Sequence, residues 1–164
     1  MKPKVLIVMG SDSDFPVMEE TGKILEQFNI PYEMTVSSAH RTPERTVKLV
    51  KAAEKNGVEV IIAGAGAAAH LAGVIASHTI LPVIGVPIDS SPLHGVDALY
   101  STVQMPPGVP VAAMAIGKAG AKNAAVFAAQ ILSLKDPIVA TVLRDYRKKM
   151  ASGVLEKAKK IELS

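Results

Sequence analysis

A doubly wound, three-layer α/β domain is what this sequence predicts, on three observations. Short apolar runs recur at Val5 to Met9, Tyr32 to Val36, Val58 to Ala63, Val83 to Pro87 and Val111 to Ile116. Helical stretches separate them, which is a βαβ rhythm. The runs are near-continuous rather than alternating, as in parallel strands covered on both faces and joined by right-handed crossovers. At 164 residues the chain suits one such domain with one substantial core, so residues 1–164 are read as a single unit.

The elements follow in order. After the first run, Gly10-Ser11-Asp12-Ser13-Asp14 makes a tight polar turn, and Ser11, Ser13 and Asp14 can cap the next helix or hydrogen-bond a ligand. Val17, Met18, Thr21, Ile24, Leu25 and Phe28 then recur at helical spacing and give that helix one buried face. The second run leads to Ser37-Ser38-Ala39-His40-Arg41-Thr42-Pro43, where Thr42 is expected to cap the next helix with its hydroxyl and Pro43 fits the first helical position. Val47, Val50 and Ala53 mark the buried stripe of this second helix.

Residues 60–76 carry no formal charge, but three glycines and a histidine interrupt a run of only marginal length for a hydrocarbon core of about 30 Å. A buried strand, a turn and a small-residue helix explain them better than a membrane span. Lys118 to Leu134 is an alanine-rich helix with two open readings, an ordinary helix covering the sheet or one buried by other subunits. After Asp136-Pro137, Val139, Val142, Leu143 and Tyr146 form the stripe of another helix, which Gly153 is expected to end or bend. Val154 to Leu163 then reads as a short helix that needs something to dock on. The segment from about 136 to 164 is thus a helical extension expected to dock on a neighbouring subunit.

Composition removes several classes of function. The chain has no cysteine, hence no disulfide framework, thiolate nucleophile or cysteine-held metal. The net charge is +3, and the excess lies from Lys135 to Ser164, where eight Lys and Arg face four Asp and Glu. Interspersed acids and a single aromatic, Tyr146, make that segment a solvated helix face rather than a nucleic-acid footprint. No Trp, three Tyr and three Phe leave few platforms for stacking bases. Met1-Lys2-Pro3-Lys4 and its short apolar run lack the pattern of a secretory signal, so a cytoplasmic protein is expected.

Chemistry is sought at the carboxyl ends of parallel strands. His40 and Arg41 stand there, on the loop before a positive helix end whose free amides suit an anion. Imidazole is the commonest acid–base group, so His40 is the leading catalytic candidate. His70 can enter the same pocket or be a hydrogen-bonded structural residue, while His78 and His94 read as structural or exposed. The Gly10 loop lacks the Walker lysine and the dinucleotide glycine spacing, and no histidine pair has zinc-helix spacing, so neither ATP, NAD nor a metal is expected. Gly64-Ala65-Gly66-Ala67-Ala68-Ala69 offers either a bare backbone for a flat ligand or simply tight packing, and Asp89-Ser90-Ser91 adds a polar loop after the fourth strand.

Four ordered motifs, Met9-Gly10-Ser11-Asp12-Ser13-Asp14, Ser38-Ala39-His40-Arg41-Thr42-Pro43, Gly64-Ala65-Gly66 through Ala69-His70-Leu71, and Val103-Gln104-Met105-Pro106 with Pro110-Val111 and Ala115-Ile116-Gly117, span nearly the whole chain. In these it resembles the carboxyaminoimidazole ribonucleotide mutases of bacterial de novo purine synthesis, also called the catalytic subunit of phosphoribosylaminoimidazole carboxylase. The resemblance implies a flavodoxin-like domain assembled as a homo-octamer, a ribonucleotide substrate and no cofactor, metal or ATP. It implies a carboxyl shift from the exocyclic nitrogen of the aminoimidazole to ring carbon 4, by decarboxylation and recarboxylation, with His40 as general acid–base. Ser11, Asp14 and Arg41 match substrate-binding positions, Arg41 for the phosphate and Asp14 for ribose hydroxyls. Ser38 and the Gly64 to Gly66 backbone would complete the pocket, with His70 and Leu71 on the carboxylate side.

Two departures stand out, because Ala67 and Ala72 occupy places where the family usually has glycine and proline. Ala67 is expected either to crowd the pocket or to demand a different turn. The Ala68-Ala69-His70-Leu71 segment resembles the mutase branch rather than the branch, found in animals and some bacteria, that carboxylates the aminoimidazole directly with carbon dioxide. Direct carboxylation remains the nearest alternative, and a non-catalytic nucleotide-binding module the alternative from another class.

Overall fold

A computed structural model describes residues 2–162. Five strands run in the chain order β1 (Val5–Met9), β2 (Tyr32–Val36), β3 (Val60–Gly66), β4 (Val83–Ile88) and β5 (Ala112–Ala113). Between and after them come α1 (Phe15–Gln27), α2 (Pro43–Asn56), α3 (Leu71–Ala76), α4 (Val96–Val103), α5 (Lys118–Ser133) and α6 (Pro137–Glu162). All pairings are parallel and the spatial order is β2-β1-β3-β4-β5. This is the flavodoxin-like form of the doubly wound α/β fold, whose ligand crevice lies where the order reverses, between β1 and β3.

Both faces of the central strands are covered, which is why β1, β3 and β4 carry buried residues at successive positions, whereas the edge strand β2 has none. In β1, Val5, Ile7 and Met9 join a cluster with Met18 and Leu25 of α1 and with the alanines of α5. Leu6 and Val8 point the other way, to Val50 and Ala53 of α2 and to Leu71, Ala72 and Ile75 of α3. Each large side chain buried this way contributes about 1.5–3 kcal/mol.

Within the chain, the alanine-rich helix covers the sheet. Ala121, Ala124, Ala125, Ala128 and Ala129 of α5 are fully buried within the chain, in the cluster that takes residues from α1, α6 and the sheet. Thr21 of α1 donates to the Ala121 carbonyl at 2.9 Å, so the small side chains allow close approach of these two helices.

Several boundaries differ from expectation. β3 starts later and runs on to Gly66, because its pairing with β4 continues to Gly66 opposite Ile88. The fifth run keeps only two ladder residues, Ala112 and Ala113, at the sheet edge. Gly153 does not end α6; the helix passes through it to Glu162. A lone glycine costs a helix about 1 kcal/mol, and no proline or capping residue reinforces it here. The first half of α6 is anchored by Val139, Leu143 and an edge-to-face contact of Tyr146 with Phe28, ring centroids 5.0 Å apart. Leu163, placed in the terminal helix from sequence, lies outside the described residues.

Thr42 is the residue before α2, but its hydroxyl does not cap the helix. It accepts from the Ser38 amide and donates to the Ser38 carbonyl, both at 3.0 Å, so it closes the loop that carries His40. Pro43 starts the helix, and Gly57, with φ of 88°, ends it in the left-handed conformation that glycine adopts most readily.

Candidate functional site

Loops after the first four strands enclose a cavity of about 300 Å³ at the β1/β3 crevice. The Gly10 amide donates to the Gly64 carbonyl at 3.0 Å and ties the β1 loop to the end of β3. Within that loop Ser11 and Asp14 form a reciprocal cap, the Ser11 amide donating to Asp14 Oδ2 at 3.0 Å. Asp14 is only 4 % exposed. Burial pushes its carboxyl above the usual range, against the opposing pull of the Ser11 and Gly10 amides and of Arg41.

The loop after β2 is held from both ends. Buried Ser37 and Thr46 share a hydrogen bond of 2.9 Å, and Thr42 closes on Ser38 as described. Ser38 Oγ accepts from the Arg41 amide at 3.1 Å and from Arg41 Nε at 3.4 Å. Arg41 Nη2 reaches across and donates to the Gly10 carbonyl at 3.2 Å. The guanidinium is thereby moored between two loops at the edge of the cavity, with donors left over for an anion.

His40 Nε2 lies 2.9 Å from Nδ1 of His70, with the two rings edge to face at 5.0 Å between centroids. One nitrogen donates and the other accepts, so the contact ties the tautomers together.

Of the residues predicted from sequence, Ser11, Asp14, Ser38, His40, Arg41, Gly66 and Leu71 line the cavity. His70 reaches it through His40 rather than as part of the wall. His78 and His94 are both exposed. Gly64 is not a ligand surface: a Cβ there would collide with Met18 Sδ and lie 2.8 Å from its Cγ, so its bareness serves core packing against α1. Ala67 does not line the cavity either; with φ of 52° it makes the left-handed turn that glycine would make without strain. Ala72 is a buried residue of α3.

Sequence reasoning passed over Ser90 as a wall residue, although Asp89-Ser90-Ser91 was visible as a polar loop. The signal is the sheet order, which places the end of β4 beside that of β3. Among the described residues no group of three or more His, Asp or Glu could hold a metal ion, and no helix is long and apolar enough to cross a membrane.

The same chain matches known proteins over nearly its whole length. A family model described as AIR carboxylase matches residues 4–153. The chain is 60% identical over 161 residues to a Pyrococcus horikoshii protein named N5-carboxyaminoimidazole ribonucleotide mutase, covering 98% of this chain and 90% of that one. A Thermotoga maritima protein of the same name is 56% identical, over 98% of this chain and 92% of its own. The Escherichia coli protein so named is 54% identical, over 93% and 90%. The crystal structure of Treponema denticola PurE matches with a TM-score of 0.88 at 33% identity, covering 96% of this chain and 98% of that one.

Proposed function

This chain belongs to the AIR carboxylase family, and from that premise we propose that it is an isomerase of purine biosynthesis that converts N5-carboxyaminoimidazole ribonucleotide to 4-carboxy-5-aminoimidazole ribonucleotide. The observation that carries the reading is one cavity lined both by His40, paired with His70, and by an arginine moored between two loops. Acid–base chemistry thus sits within one ribonucleotide's reach of an anion site.

In this reading Arg41 takes the phosphate and Asp14 the ribose hydroxyls, while Gly66 and the Leu71 side chain flank the ring. His40 delivers a proton to the exocyclic nitrogen as its bond to the carboxyl carbon breaks, giving the aminoimidazole and carbon dioxide. Ring carbon 4 then attacks the carbon dioxide, and the proton displaced from carbon 4 returns to His40. The proton count closes and no net oxidation or phosphoryl transfer occurs. His70 fixes the His40 ring so that the same nitrogen serves both steps. Carbon dioxide must stay in the site between them, so water exclusion and a closed cavity favour product over leakage.

We further assign a homo-octamer, a single α/β domain whose terminal helix docks on a neighbouring subunit, and a cytoplasmic location. Exposed Met150, Val154 and Leu155 on the outer half of α6 support the docking. Sedimentation showing only monomers would overturn it.

The function is tested by offering the purified protein, without ATP or metal, the N-carboxylated ribonucleotide or the uncarboxylated one with bicarbonate. Preference for the first, lost by roughly 10²- to 10⁴-fold in His40→Asn with substrate binding retained, is expected. Preference for the second would make the protein a direct carboxylase, and binding without turnover of either would make it a nucleotide-binding module.

A further inference from the structure

Four serines line the cavity, and three of them are committed to their own loops. Ser11 donates to Asp12, Ser13 to Ser11, and Ser38 accepts from Arg41. Ser90 is the fourth, and its hydroxyl has no hydrogen-bond partner among the described residues.

Ser90 is exposed, and its hydroxymethyl group lies against Gly66. β3 and β4 end side by side, and the chain leaving β4 folds back so that Ser90 lies over Gly66. A Cβ on Gly66 would overlap Ser90 Oγ and come 2.9 Å from Ser90 Cβ. The space that a side chain at 66 would fill is occupied by the hydroxymethyl group of Ser90. At this point the wall is built by glycine on one strand and an uncommitted hydroxyl from the next.

We propose that Ser90 is a substrate-binding residue that donates its hydroxyl to the migrating carboxyl group, an inference that rests on the mutase reading above. The strand order lines up the loops as β2, β1, β3, β4. Strands are spaced by about 4.8 Å, so the β4 loop stands roughly 10 Å along the crevice from the β1 loop, where Arg41 meets Gly10. A phosphate at Arg41 therefore directs the ring and its carboxyl group toward Ser90. A neutral donor also suits the chemistry: the carboxylate loses its charge as carbon dioxide forms, and a cation there would favour the ground state over that step.

The test is carried out on the full chain in the His40→Asn background, so that ligand is not consumed, by calorimetric titration with 4-carboxy-5-aminoimidazole ribonucleotide and with the uncarboxylated ribonucleotide. Ser90→Ala is expected to weaken the carboxylated ligand about tenfold and the uncarboxylated one less than about twofold, the loss typical of a hydrogen bond to a charged group. Gly66→Ala displaces the same hydroxyl and should reproduce this preference, and adding Ser90→Gly to it should cause no further loss. Equal weakening of both ligands, or of neither, overturns the role of Ser90. If the His40→Asn parent and the wild type bind neither ribonucleotide, the mutase reading falls and the Ser90 assignment with it.

Discussion

The two walls of the cavity are built on opposite principles. On the β1 and β2 side, side chains make the wall: Ser11 and Asp14 cap one another, Thr42 closes on Ser38, and Arg41 bridges to Gly10. On the β3 side the wall is made of small residues, Ala65, Gly66 and Ala68, where Gly66 yields space to Ser90 and Ala67, between them in sequence, turns the chain at positive φ. The difference teaches how each wall fails. Removing a polar group from the first wall loosens a ligand or a loop, whereas adding or removing a single carbon on the second changes strain or evicts a neighbour.

Arg41→Ala should break the comparison most visibly, because it removes both the bridge and the proposed phosphate partner. The expected outcome is a roughly ten- to hundredfold weaker hold on the ribonucleotide with little change in melting temperature, read by titration and thermal unfolding. An unchanged affinity would remove its phosphate role.

Asp14→Asn should separate stability from binding. Burial raises the Asp14 carboxyl above its unfolded value, so the native state holds a proton more readily than the unfolded chain. Stability is then lost as pH rises through the Asp14 titration and regained in mild acid. The neutral variant should be more stable than the parent at about pH 7, lose that advantage on acidification, and bind the ribonucleotide about tenfold more weakly. Melting curves across pH, beside titrations, check both halves.

Thr42→Val keeps shape and removes the hydrogen bonds that close the His40 loop. A loss of about 1 kcal/mol is expected in denaturant unfolding, with turnover falling further than stability as His40 loses its placement.

Ala67→Gly sharpens the other side with the smallest effect. The left-handed turn costs an alanine about 1–2 kcal/mol, part of which glycine gives back through its larger unfolded-state freedom. A gain of roughly 0.5–1 kcal/mol is expected, and a loss would show that the alanine stiffens this loop usefully.

Much of the fold was legible because it is written in local periods. The apolar runs located β1, β2 and β4 closely, and Pro43 marks the start of α2 by its backbone restriction alone. Gly153 does not end its helix because a single unfavourable residue is outvoted by the rest of a 26-residue helix. Thr42 misled because a capping residue type was read without its competitor, the Ser38 backbone four residues earlier. The alanine-rich helix left two readings open, since small side chains fit any close neighbour, and its covering role became visible only in its packing against α1 and the sheet.

By itself, then, the sequence determined the succession of strands and helices and the polar loops at the strand ends, since these follow from spacing and turn chemistry within a few residues. Only the tertiary structure decided which loops meet. The order β2-β1-β3-β4 brings together His40 and His70, thirty residues apart, and lays Ser90 over Gly66 and Met18 over Gly64. Those contacts depend on strand order and side-chain volume across the crevice, and no local pattern along the chain carries either.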